Sequence, residues 1–167
     1  LRAKMLDAAA AERYEEAAHA RDAMRTVEAL RDREQKLATT QLGDRDVFGV
    51  KVGPSGVVVQ VFSVRGGKVI ERTELATDAA GIQGTDADTL LAAVQQFYEE
   101  RLPAGEVDLP LLPADGDALE PWLSARAGRR VRLLVPQRGD RRALVELATR
   151  NAELAYRTRF NEAIAAH

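Results

Sequence analysis

The chain has 167 residues, with 24 Lys+Arg against 26 Asp+Glu and a formal net charge of −2. At 46% hydrophobic and 30% charged it can bury a core and is not a disordered tail, while 5% aromatic content leaves most of that core to Ala, Leu and Val. The absence of Cys excludes a disulfide scaffold, a thiolate metal site and a cysteine nucleophile. No apolar run approaches the ~20 residues of a membrane-spanning helix and no signal-peptide pattern is present, so a cytoplasmic protein without membrane contact is expected. A size of this kind suits one domain plus a short appendage. The start at Leu1, already in helical phase, fits a piece of a longer polypeptide.

Residues 1–37 contain neither Gly nor Pro and read as helix. Leu1, Met5, Ala8 and Ala9 fall on one face, and Tyr14, Ala17, Ala18, Met24 and Val27 form a second set. The apolar phase slips around Ala11 to Tyr14, which fits either a tight hairpin or one long helix. A unit of this length is too small to satisfy its own apolar face and calls for a partner, in this chain or another. Residues 38–46 are polar and read as a linker. Beyond them Val47–Val52, Val57–Val64 and Lys68–Leu75 read as three strands joined by Gly53-Pro54-Ser55-Gly56 and Arg65-Gly66-Gly67.

A helix follows, capped by Thr85 or Asp86, with Leu90, Leu91, Val94, Phe97 and Tyr98 as its apolar stripe. Val107–Leu112 is a short strand, and Asp115 or Asp117 caps a helix bearing Leu119, Trp122 and Leu123. Val131–Val135 is a fifth strand, stopped by Pro136. Arg141 to about Ala166 forms the last helix, with Leu144, Leu147, Ala148, Leu154 and Ala155 inward. The order βββ-α-β-α-β-α over residues 47–167 is the ribonuclease H-like α/β arrangement.

The helical segment carries a recognisable pattern. Leu1, Met5, Ala8 and Ala9, then Tyr14-Glu15-Glu16-Ala17-Ala18, Arg21-Asp22 and Met24 resemble the UVR motif, which runs Leu-x3-Met-x2-Ala-Ala and aromatic-Glu-x-Ala-Ala-x2-Arg-Asp-x-apolar. The departures are Glu12 and Ala20, where the motif usually has Leu. Asp44-Arg45-Asp46-Val47, Gln96-Phe97-Tyr98, Glu120-x-Trp122-Leu123, Pro136-x-Arg138-Gly139-x-Arg141 and Asn151-Ala152 extend the likeness, so that essentially the whole chain is similar to the central part of the UvrC family. UvrB carries its UVR segment at its C-terminus, with nothing like residues 47–167 after it.

That resemblance implies a nucleotide excision repair nuclease subunit whose UVR helices pair with those of UvrB. Met5, Ala9, Tyr14, Ala17, Ala18, Arg21 and Met24 would make the contact. It also implies that both nuclease domains flank this segment, so that divalent metal belongs to them and no cofactor is expected here. A bland alternative packs residues 1–37 on residues 47–167 as an ordinary intrachain helix.

A ribonuclease H-type site needs carboxylates in the middle of strand one, at the end of strand four and on the final helix. Strand one offers Val50 and Lys51, and strand four is expected to end Leu111-Leu112-Pro113, leaving Asn151 on the last helix. Asp44, Asp46, Asp108, Asp115 and Asp117 are read as strand starts or helix caps. The domain is therefore expected to be a non-catalytic copy of its fold. The alternatives are a divergent divalent-metal endonuclease using Asp44, Asp46 or Asp108, and a self-associating structural module. His19, His167, Ser55, Ser63 and Ser124 form no readable nucleophile–base set.

The near-neutral balance conceals a local excess. Residues 129–142 hold Arg129, Arg130, Arg132, Arg138, Arg141 and Arg142 against Asp140 alone. Arg129, Arg130, Arg138, Arg141 and Arg142 are candidates for weak, sequence-independent contacts to a DNA backbone, since guanidinium groups suit bidentate phosphate binding. An exposed basic face paired with neighbouring acids is the plainer reading of the same residues.

Overall fold

The computed structural model describes residues 10–37, 42–82 and 84–160. The chain divides into two compact units, one ending at Arg33 and the other running from Glu34. The described part of the first belongs to helix α1 (Ala10–Leu37), whose last four residues fall in the second. The helix sequence is Ala-rich, free of Gly and Pro, and dense in Glu and Arg at helix-supporting spacings. The helix passes unbroken through Ala11–Tyr14, where the apolar phase slips. Of the hairpin and the single rod, the described residues form the rod.

The second unit is built on a five-stranded mixed sheet. Its strands are β1 (Arg45–Gly53), β2 (Gly56–Arg65), β3 (Lys68–Asp78), β4 (Glu106–Asp108) and β5 (Arg132–Leu134), in the order β3-β2-β1-β4-β5. The first three form the expected antiparallel meander, with Phe48 opposite Val61 and Val50 opposite Val59. β4 lies parallel to β1, and β5 parallel to β4. Helices α2 (Asp86–Phe97), α3 (Gly116–Ala127) and α4 (Gly139–Phe160) complete the order anticipated from the pattern.

Alternation along β1 and β2 makes two faces, as a period of two requires. Phe48, Val57, Val59 and Val61 pack with Leu90, Val94 and Phe97 of α2 and with Leu119 and Leu123 of α3. Three of the eight aromatic rings gather there. Phe48, Phe97 and Tyr98 have centroids 4.9 to 6.1 Å apart. On the opposite face Val58 meets Ala152 and Tyr156 of α4. Two glycines admit that helix. A Cβ on Gly49 would collide with the backbone of Ala148 and Thr149, and one on Gly53 with the Tyr156 ring.

Several boundaries differ from those read in the sequence. β1 begins at Arg45, two residues earlier, and Leu42, Arg45 and Asp46 are buried although that stretch is polar. β4 ends at Asp108 instead of Leu112, because Pro110 has no N–H and the chain turns away after the Leu109 amide bonds to Leu134 O at 2.8 Å. Thr85 is the N-cap of α2 and forms a full capping box with Asp88. Asp115 stands at the N-cap of α3 with φ 51°, and its side chain makes no capping hydrogen bond. The last helix starts at Gly139. Its expected extension to Ala166 lies partly outside the described residues.

Candidate functional site

The positions on α1 expected to bind a partner share one stripe. Tyr14, Ala17, Ala18, Arg21 and Met24 follow one another at i, i+3, i+4, i+7 and i+10, which a continuous helix brings to one side. Ala17 and Ala18 are half-buried, Arg21 is exposed, and Met24 is 64% exposed. None of residues 15–31 is buried. Met5 and Ala9 lie outside the described residues.

The arginines of residues 129–142 are divided by β5. Arg129 and Arg130 precede the strand, with the Arg129 guanidinium beside Gly105 at the start of β4. Arg138, Arg141 and Arg142 follow it and lead into α4. Arg129, Arg130, Arg138 and Arg141 are exposed. Arg142 is half-buried, its Nε on Glu146 Oε1 at 3.2 Å and its Nη1 on Pro136 O at 3.4 Å. The fold thus brings Arg138 and Arg141 together at one end of the strand and leaves Arg129 and Arg130 at the other.

The carboxylates depart most from expectation. Asp46 does stand at the start of β1, whereas Asp108 ends β4, and both are buried, at 1% and 0% exposed. Adjacent residues of a strand face opposite ways, so Arg45 and Asp46 organise one polar cluster on each side of the sheet. Arg45 donates through Nη1 to Asp108 Oδ2 at 2.8 Å and through Nε to Leu42 O at 2.6 Å. Its Nη2 lies 2.8 Å from Glu106 Oε2. On the other side Asp46 accepts from Tyr98 Oη at 2.5 Å, from Arg65 Nη1 at 2.9 Å and from the Ala104 amide at 3.2 Å. Asp44 accepts from the Gly66 amide, in the turn between β2 and β3, at 2.8 Å.

Burial sets the electrostatics of both clusters. It pushes the Asp108 carboxyl above the usual range, with Glu106 adding to the rise, and the Arg45 hydrogen bond and charge and the more distant Arg141 oppose it. Burial also holds the Tyr98 phenol well above its ordinary value, and the Asp46 charge reinforces this. Tyr98 is therefore a neutral donor to Asp46. Arg45, Tyr98 and Glu106 were not singled out from the sequence. The available signal was a charged pair directly ahead of a β-branched strand, Arg45-Asp46, which reads equally well as linker.

The places for metal-binding carboxylates are now defined. On the α4 side of β1, Val47 stands opposite Asp108 at the end of β4, and Gly49, two residues on, is roofed by the helix backbone. At the end of β4 stands Asp108, joined to Arg45. Asn151 is half-buried on α4. Among the described residues no three His, Cys, Asp or Glu side chains converge as metal ligands. Also among them, no helix is long and apolar enough to cross a membrane. His19 is exposed on α1, and His167 lies outside the described residues. The Ser55 amide donates to Tyr156 Oη at 2.9 Å, and the Ser124 hydroxyl accepts from the Val131 amide at 2.9 Å.

Comparison with known proteins gives one family. The model of the UvrC ribonuclease H-like domain matches residues 44–159. A UvrABC system protein C from Anaeromyxobacter sp. (strain Fw109-5) is 39% identical over 159 residues, which cover 95% of this chain and 22% of the relative. A protein of the same name from Thermus thermophilus is 36% identical over 159 residues, covering 95% of this chain and 27% of its own length. The chain thus spans about a quarter of the curated relatives it matches. A solved Bacteroides thetaiotaomicron protein of actin-like ATPase fold has 18% identity and a TM-score of 0.33, covering 64% of this chain and 39% of its own, a likeness too slight to inform fold or function.

Proposed function

The chain belongs to the UvrC ribonuclease H-like domain family, and from that premise we propose that it is the non-catalytic interaction segment of a nucleotide excision repair nuclease. α1 is the docking element. Its stripe of Ala17, Ala18, Arg21 and Met24, none of it buried, suits a UVR helix of UvrB laid against it. The small alanines let two helix axes approach closely. Arg138 and Arg141 would hold a DNA backbone loosely beside the flanking nuclease domains of the parent chain, in the bacterial cytoplasm.

The observation that carries the non-catalytic reading is the roof over Gly49. A pair of divalent cations does not fit here. In the middle of β1, Gly49 has no room for a Cβ, neither Val50 nor Lys51 is an acid, and Arg45 already neutralises the carboxylate that ends β4. Asp46, the one acid of β1, points to the opposite face and is filled by Tyr98, Arg65 and Ala104. The rival reading, a divergent metal nuclease built on Asp44, Asp46 or Asp108, has these three acids committed to separate hydrogen bonds.

The test has two arms on the purified chain. Calorimetry with a peptide spanning the C-terminal UVR helices of UvrB is expected to show saturable binding, lost in Met24→Asp. Incubation with damaged duplex and Mg²⁺ or Mn²⁺ is expected to leave the DNA uncut. Incision abolished by EDTA and by Asp108→Asn would overturn the non-catalytic reading, and absence of heat with the peptide would overturn the docking role.

A further inference from the structure

Helix α2 covers only part of the sheet face on which it packs. Its Leu90, Val94 and Phe97 are buried with Phe48, Val57, Val59 and Val61 of β1 and β2, whereas no residue of β3 is buried. Between α2 and β3 this leaves a groove of about 220 Å³. Val57, Val59 and Leu75 supply its apolar floor, and Ala92 and Ala93 one wall. Asp88 is the one charged residue among those that line it. The Thr85 amide and hydroxyl each donate to Asp88 Oδ2 at 2.9 Å and hold the carboxyl below its usual range, so it is ionised at neutral pH. Its Oδ1 accepts no hydrogen bond among the described residues.

The same groove borders an open sheet edge. β3 is outermost, and among the described residues no strand pairs with its outer side. Past the irregularity at Ser63 and Val64, its ladder with β2 is regular from Glu71 to Asp78. Thr73, Leu75 and Thr77, opposite Val61, Val59 and Val57, share the groove side, and Glu74, Ala76 and Asp78 share the α4 side. Charges along an edge ordinarily discourage a further strand. Residues 73–78 carry none on the groove side, and the two on the α4 side are both acidic. Glu74 accepts from Arg159 Nε and Gln60 Nε2, each at 3.1 Å, and Asp78 Oδ1 accepts from the Ala80 amide at 3.0 Å. An edge strand separated from a helix by an apolar groove suits an extended peptide that adds a strand and drops alternate side chains between the two.

We propose that an extended segment of a partner protein adds as a sixth strand along residues 73–78 of β3, seating an aliphatic side chain in the α2–β3 groove and presenting lysine or arginine at neighbouring positions. The floor and wall call for the aliphatic group. A dry cavity of about 150 Å³ holds a benzene ring, so a leucine or isoleucine side chain fits this one. The cations follow from Asp88 on the groove side and from Glu74 and Asp78 on the other. The same three carboxylates repel phosphate, which makes a nucleic acid the wrong occupant. The contact uses neither α1 nor Arg138 and Arg141, and is independent of the docking and DNA-binding readings above.

Selection of phage-displayed random dodecapeptides on the full chain tests it. Enriched sequences are expected to combine an aliphatic residue with Lys or Arg one or two positions away. They should not be enriched on Ala92→Trp, which fills the groove from an exposed position of α2. Circular dichroism checks that this variant is folded. A synthetic peptide of the enriched sequence, followed by fluorescence anisotropy, should bind Ala92→Trp roughly tenfold or more weakly than the native chain. Changing its aliphatic residue to Ser, or its basic residue to Glu, should weaken binding to the native chain to a similar degree. Strand addition has its own signature. N-methylation of alternate peptide amides should abolish binding in one phase and spare it in the other, because only every second amide of an added strand faces β3. These peptide changes leave the protein untouched, so they decide the matter even if Ala92→Trp is unfolded. Failure to enrich any such sequence, binding indifferent to folded Ala92→Trp or to N-methylation, or a dimer in sedimentation equilibrium that Ala92→Trp dissociates, placing a second copy in the groove, would overturn the proposal.

Discussion

Arg45 is the most consequential charge in the α/β unit. It is 3% exposed and lies between Glu106 and Asp108, so its removal would leave two carboxylates facing each other with little water. Losing one member of a buried ion pair costs about 3–5 kcal/mol. Arg45→Met is expected to lower the urea midpoint accordingly, and adding Asp108→Asn to recover part of the loss. Asp108 also gives an unusual pH dependence. Its folded pKa is raised, so the folded state binds more protons than the unfolded chain from about pH 3.8 upward. Stability from this group therefore falls as pH rises through that window. Relative to Asp108→Asn, the native chain should gain stability as pH is lowered toward 4, as urea titrations at several pH values would report. Tyr98 behaves similarly at the alkaline end. Its phenol is raised, so its contribution is complete below pH 10 and is lost as the unfolded tyrosine ionises above it. Tyr98→Phe leaves the buried Asp46 without one of its donors and should cost about 2 kcal/mol. The tyrosinate absorbance of the folded native chain should show one ring resisting titration beyond pH 10.

At the scale of elements, the approach of α4 to the sheet decides what this domain can do. The helix crosses from β4, where Arg141 lies near enough to influence Asp108, over Gly49 of β1, to β3, where Arg159 meets Glu74. Gly49 and Gly53 are the clearance for that crossing. Gly49→Ala forces a Cβ into helix backbone and should destabilise by at least about 2 kcal/mol, read as a lower midpoint in thermal or urea unfolding. The same change at Gly43 meets nothing within 4 Å, although φ +62° there carries its own backbone strain. The contrast separates packing from conformational cost. β4 and β5 are short for a related reason. Proline follows each, at Pro110 and Pro136, and the main chain leaves the ladder where its donors end.

On the scale of the whole molecule, the near-zero net charge masks a division of labour between α1 and the α/β unit. Residues 15–31 of α1 bury nothing, whereas the second unit contains the packed core. The arginines fall into two groups with distinct expected effects. Arg138→Ala with Arg141→Ala should weaken binding to duplex DNA at low salt and flatten its salt dependence, because each phosphate contact adds close to one unit of slope. Arg129→Ala with Arg130→Ala, at the other end of β5, should leave that isotherm nearly unchanged if one backbone tracks the start of α4. Fluorescence anisotropy at several salt concentrations measures both. Equal losses from the two pairs would show that the arginines act as a diffuse field and not as a site.

Much of this was readable before any coordinates. The β-branched runs 57–64 and 68–75, the turn at Gly53–Gly56, the Thr85 cap and the stripe Leu90, Val94, Phe97 depend on local chemistry and on periodicity, and the elements appear where that chemistry puts them. The spacing of Tyr14, Ala17, Ala18, Arg21 and Met24 is likewise local, and it sufficed to suggest the family. What tertiary structure alone decided is the fate of the charged residues at strand ends. Arg45-Asp46 reads as polar linker and Asp108 as an ordinary strand start, because nothing local announces a partner 63 residues away in the chain. Parallel pairing of β1 with β4 brings opposite charges together, and burial then makes them obligatory partners. In the same way Gly49 is an unremarkable strand glycine until α4 lies across it. Long-range packing, which depends on which faces meet and how closely, turned a possible carboxylate position into a contact between backbones.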